Sequence, residues 1–263
     1  MITFKPISNK KLWAGDDWTI TDEDQLARLV AKVARGQARH VVRILQETNC
    51  IDYAPSHTAV DGAIRLLTAA DPEKPWHRDG WLFQVLAWIA AHLHSPGTLK
   101  AAPHMIHAHK GFDGVQLKLD GSNGTVISVV ICEQKATGNP RKLITGQVWP
   151  EFKSLETGCR DNELVAEVAT ILERNGHVDV DQAVSTIIWQ NSRSYCVAIT
   201  VGDDEHSDDG RKALFKGYKN VVPSRDVGCR RAETFYQPDL RKWMNDLAEQ
   251  AIEAVHEMEA EYV

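Results

Sequence analysis

The sequence has no apolar run long enough to cross a bilayer. Its longest apolar stretches, "WLFQVLAWIAA" and "VISVVIC", fall short of the roughly 20 residues a spanning helix needs. The first residues, "MITFKPISNKK", lack the apolar core of a signal peptide, so no secretory leader is expected. There is no CxxC pair. The five cysteines, Cys50, Cys132, Cys159, Cys196 and Cys229, stand far apart and are odd in number. That argues against a disulfide framework and a Cys-rich zinc site, and fits a reducing cytoplasm. No G-x-x-x-x-G-K-[ST] occurs, so no P-loop is expected, and any motor would be another protein. Basic charge is not in excess either. The net charge of −6 excludes a chain that coats polyanions along its whole surface. There is no internal repeat and no low-complexity linker.

What remains is 263 residues, of which 43% are hydrophobic. That is one large domain, or a core with an added helical region, able to bury its apolar surface without staples. The pattern predicts a helical N-terminal region over residues 1–75 and an α/β part over 76–263. "TDEDQLARLVAKVA", with Thr21 as capping candidate, has apolar residues at helical spacing. "ARHVVRILQE" and "HTAVDGAIRLLTA" are further helices. "RDGWLFQVLAWIAAHLHS" is the strongest, stopped by Pro96-Gly97. After Pro103 the period changes. "GVQLKLD" alternates as a half-buried strand does, "GSNGT" is a turn, and the Val/Ile run "VISVVIC" reads as a central strand buried on both faces. "PRKLITGQVWPEFKSLE", "DNELVAEVATILERN" and "DVDQAVSTIIWQ" read as helices, "SYCVAITVG" and "AETFYQ" as strands. A last helix runs from about Pro238 to Glu261.

The chemistry concentrates at the ends of the hairpin. Side chains alternate along a strand, so Glu133 and Lys135 share a face at the end of a buried strand. A charged pair there costs free energy unless something pairs it. The antiparallel neighbour brings Asp113 level with Glu133. Two adjacent carboxylates repel, and a divalent cation removes that repulsion. Gly111 and Gly114 allow the backbone to bend and a substrate to approach. Lys135 is then placed to orient a water or to balance charge on a phosphate.

Gly111-Phe112-Asp113-Gly114, a hairpin, and Glu133-Gln134-Lys135 ending an apolar strand resemble the PD-(D/E)XK nuclease superfamily. Within it the order of elements is similar to effector nucleases of bacterial anti-phage systems. The motif covers about 25 residues. The resemblance implies an α/β fold with a PD-(D/E)XK-like mixed sheet flanked by helices, residues 76–263 being the nuclease-like domain. It implies Mg²⁺ or Mn²⁺ held by Asp113, Glu133 and the backbone carbonyl of Gln134, with Lys135 as catalytic lysine. It also implies DNA as substrate and a helicase subunit as partner. Many members carry an upstream acid on the preceding helix. Here only Asp79 offers one, with Gln84 as a weak substitute.

Other features have plainer readings. "HMIHAH" (His104, His107, His109) fits no common zinc spacing and reads as polar residues leading into the strand. "DDEHSDDG" reads as a solvated acidic loop after a strand. Residues 211–231 hold seven basic residues against one acid. Lys212, Lys216, Lys219, Arg230 and Arg231, with Phe215 and Tyr218 between cations, are candidates for tracking and stacking on a nucleic acid. A solvated or partner-facing surface fits them equally well. The tryptophans read as packing residues. Two alternatives stay open: an inactive nuclease-fold interaction subunit, and a nuclease of repair or restriction working alone.

Overall fold

The computed structural model describes residues 1–48, 56–121, 125–176, 179–189, 193–223 and 226–261, without the side chains of 185–189. Cys50, the turn residues 122–124 and Arg225 lie outside the described residues. In chain order the elements are β1 (Ile2–Asn9), β2 (Trp13–Ile20), α1 (Glu23–Ala34), α2 (Ala38–Leu45), α3 (His57–Leu67) and α4 (Trp76–His94). Then come β3 (Leu99–Lys100), β4 (Gly114–Leu119), β5 (Val126–Lys135), α5 (Pro140–Leu143), a π-helical turn (Ile144–Val148), α6 (Trp149–Glu156), α7 (Asp161–Arg174) and α8 (Val180–Trp189). The chain closes with β6 (Arg193–Val201), α9 (Asp208–Leu214), α10 (Tyr218–Val221), β7 (Arg230–Tyr236) and α11 (Leu240–Ala260).

The strands form a seven-stranded mixed sheet in the order β1-β2-β7-β6-β5-β4-β3. Strands β5, β6 and β7 run parallel, and β2 runs parallel to β7. Strand β5 lies between β4 and β6, and most of it is buried, as its Val/Ile run requires. The α/β class with a mixed, helix-flanked sheet is therefore shown.

Each face of the sheet carries its own core. On one face α1, α3, α4 and α11 pack with Trp18, Ala198 and Phe235. Helix α4 is apolar nearly all round, because it lies between the sheet and these helices. Its Phe83 is fully buried and stacks between Trp18 and Phe235, at 6.3 and 6.5 Å. On the other face α6, α7 and the α9–α10 segment cover Val129, Ile131, Tyr195, Val197 and Ile199.

The N-terminal region is not wholly helical, which corrects one expectation. Residues 2–20 form a β-hairpin that joins the main sheet through β7. Lys5 and Pro6 on β1 disguise it, because an edge strand tolerates charge and a missing N–H. Gly15 permits the β2–β7 approach, since a Cβ there would lie 2.0 Å from the Ala232 carbonyl oxygen. Helix α1 is capped by Asp22, whose side chain accepts from the Gln25 N–H, and not by Thr21. The "PRKLITGQVWPEFKSLE" helix is interrupted by the π turn just before Pro150, which supplies no N–H to a regular ladder. The "DDEHSDDG" segment is only half loop. Ser207 accepts from the Gly210 N–H and starts α9.

Candidate active site

Strand β5 ends on its two charged residues, and β4 begins beside them. Gly114 pairs with Cys132, so Asp113, one residue earlier, lies beside Glu133. Gly111 makes the bend that delivers Asp113, with φ +151°, a conformation L side chains rarely adopt. Gly114 is small because Gln134 packs over it; a Cβ would sit 2.8 Å from the Gln134 Nε2. The close approach there is to the protein's own side chain.

Three charges converge. The Lys135 ammonium donates to Asp113 Oδ2 and lies 2.8 Å from Glu133 Oε2. The Gln134 backbone N–H donates to Asp113 Oδ2 at 2.9 Å. Gln84 on α4 donates its amide to Asp113 Oδ1 at 3.0 Å. The weak substitute is thus the residue that reaches the site. Asp79 does not. It is fully buried between Arg78 and Arg241, where it ties α4 to α11.

The electrostatics show a site short of positive charge. Burial, then the Asp113 carboxylate, pushes Glu133 up from 4.5 to about 7, even with Lys135 beside it. Glu151 on α6 adds to the push. Burial disfavours the Lys135 ammonium, but Asp113 and Glu133 outweigh it and hold the lysine above its ordinary value. Glu133 therefore holds its proton more tightly than an ordinary carboxyl does.

The surroundings were not legible from local motifs. Arg160 bonds to Glu151 and Glu163 and lies over the Phe112 ring, 4.9 Å from its centre. His104 and His109 stack at 3.5 Å. The His104 ring is pushed below its ordinary value by burial and by His109, and it feels the Asp113 charge. His107 instead donates to the Leu66 carbonyl at 2.8 Å. Among the described residues, no group of three or more His, Cys, Asp and Glu is arranged to hold a metal. The donor set is two carboxylates, those of Asp113 and Glu133. It suits Mg²⁺, which takes one or two carboxylates and fills the rest with water and phosphate oxygens. It does not suit a zinc tetrahedron.

The basic stretch divides in two. Arg230 is buried and donates to the carbonyls of Leu12, Lys11 and Val222 at 2.5, 3.0 and 3.1 Å. It braces the β1–β2 turn and is not a surface cation, a correction to its expected phosphate-tracking role. Phe215 and Tyr218 are core residues, not stacking platforms. Arg231 pairs with Glu233. Lys212 pairs with Asp209 and is exposed, as are Lys216 and Lys219. Cys132 and Cys196 are buried strand residues, as their sequence context predicts.

Comparison with protein-family models gives no match, and comparison with curated proteins gives none.

Proposed function

We propose that the chain is a metal-dependent deoxyribonuclease of PD-(D/E)XK type that hydrolyses phosphodiester bonds at Asp113, Glu133 and Lys135. The observation that carries this reading is the convergence of those three groups at the buried end of β5. The raised Glu133 supports it, because a site that cannot ionise its second carboxylate comfortably gains from a cation. Asp113 and Glu133 would hold Mg²⁺ or Mn²⁺, with the Gln134 carbonyl as a further donor. When bound, that ion supplies Lewis-acid polarisation of the phosphate and charge compensation.

The protein's own groups do the rest. Asp113 is held in place by Gln84 and by the Gln134 N–H. Lys135, beside both carboxylates, is placed to turn its ammonium to an attacking water or to charge growing on the phosphate. By resemblance, the role is that of HamA, the nuclease subunit of the Hachiman anti-phage system, restrained by a HamB-like helicase in the cytoplasm. No helix among the described residues is long and apolar enough to cross a membrane.

A second reading is an inactive nuclease-fold subunit that restrains a partner. It draws on Gln84 standing where many relatives of this type carry an acid. The test is cleavage of plasmid and of single-stranded DNA with Mg²⁺ by the wild type and by Glu133→Ala/Lys135→Ala. Cleavage by the wild type alone supports the nuclease; equal cleavage by both proteins sinks it.

A further inference from the structure

A cavity of about 530 Å³ opens between α2, α4, residues 96–102 and the C-terminal end of α7. That volume lies within the usual range for small-molecule sites, roughly 300–1,000 Å³. Its floor is apolar, with Val42, Leu99, Ala101 and Ile171, and it carries two buried rings, Trp88 and His92, packed edge to face at 4.6 Å. Its rim carries Arg39, Arg43 and Arg174, all exposed, with Gln46 and Asn175. Among the described residues no carboxylate lines it. Among the described residues none of the three arginines has an ion-pair partner.

The floor holds the second, independent sign. Among the described residues the buried Trp88 Nε1 and both buried ring nitrogens of His92 have no hydrogen-bond partner. His92 is only 8% exposed. Orphaned polar atoms of this kind are uncommon in folded proteins, and each asks for a partner. Burial, with the Lys100 charge, pushes His92 down to about 3, so the ring is neutral and offers one donor and one acceptor. Trp88 adds a donor. Apolar walls, a donor–acceptor–donor set on the floor and a rim of guanidinium groups suit a flat heterocycle joined to phosphate.

We propose that this cavity binds a nucleoside phosphate, its base on Trp88 and His92 and its phosphate on Arg43 and Arg174. The ligand is either a free nucleotide or the end unit of a nucleic-acid strand. The two sources share this chemistry. The second is geometrically open, because Trp88, Lys100 and Ala101 also line a small cavity that reaches Asp113.

The experiment is calorimetric titration with AMP, and separately with a terminally phosphorylated oligothymidylate. The proteins are the wild type, Arg43→Ala/Arg174→Ala, Trp88→Phe and Glu133→Gln, each checked for a cooperative melting transition above the titration temperature. The arginines are exposed, so their loss should leave the fold intact. AMP should bind the wild type and Glu133→Gln alike, and weaken by roughly tenfold per arginine removed. Trp88→Phe, which keeps a ring and loses the N–H, should weaken it further. Binding of the oligonucleotide but not of AMP, with the same arginine dependence, assigns the site to a strand end. Failure of both probes to bind, or binding indifferent to the arginines, overturns the proposal. Because Glu133→Gln alters the candidate metal site and not this cavity, AMP binding together with no DNA cleavage by the wild type would sink the nuclease reading and leave this one standing.

Discussion

Glu133→Gln should make the protein more stable above pH 7 while leaving it unchanged below pH 4.5. The folded protein holds the Glu133 proton up to about 7, against an ordinary value of 4.5. The contribution of the protonated form is therefore complete below 4.5 and is lost as the pH rises through 7. At about 1.4 kcal/mol per pKa unit, the rise corresponds to about 3 kcal/mol. Glutamine keeps the shape and removes the charge, so it removes this loss. The attraction of Lys135, 2.8 Å away, is already contained in that rise. The net gain expected above pH 7 is then about 3 kcal/mol. Urea unfolding in a chelating buffer, on both sides of the window, measures it. Adding Mg²⁺ above pH 7 should stabilise the wild type and leave the glutamine variant unmoved. A variant destabilised equally at both pH values would refute the reasoning, because Glu133 would then be an ordinary stabilising partner of Lys135.

Phe83→Ala should cost about 3–5 kcal/mol in urea unfolding, since it empties a site enclosed by Trp18 and Phe235. Asp79→Ala should cost roughly 3 kcal/mol, because it leaves Arg78 and Arg241 facing each other. The folded fraction of that protein should still cleave DNA, and a matched loss of specific activity would place Asp79 in the site after all. Gly15→Ala should break the β2–β7 pairing, read as lost amide protection in residues 13–20, because its Cβ has no room against Ala232.

The sequence announces elements whose period is set by burial. The Val/Ile run of β5, the apolar α4 and the amphipathic α11 are legible because each buries a continuous face. The β1–β2 hairpin is not, because Lys5 and Pro6 on the edge strand β1 and Asp16 and Asp17 on β2 leave no continuous apolar face to advertise. The three charges of the site are legible because antiparallel register turns strand position into proximity: Asp113 and Glu133 are 20 residues apart along the chain and neighbours across it. Glu151, Arg160 and the His104–His109 stack reach the site through tertiary packing, which leaves no local spacing to read. Arg230 misleads for the opposite reason. It sits in a basic stretch, yet its guanidinium is turned inward onto three carbonyls. The 530 Å³ cavity joins α2, α4 and α7, segments separated by most of the N-terminal half, so no motif marks it.

The central claim is that Asp113 and Glu133 share one divalent cation with Lys135 poised beside it. Calorimetric titration of Mn²⁺ into the wild type and into Asp113→Asn tests it most directly. Saturable binding at one site in the wild type, abolished by Asp113→Asn, is the result expected. Absence of binding in the wild type, or binding that survives Asp113→Asn, would contradict the claim.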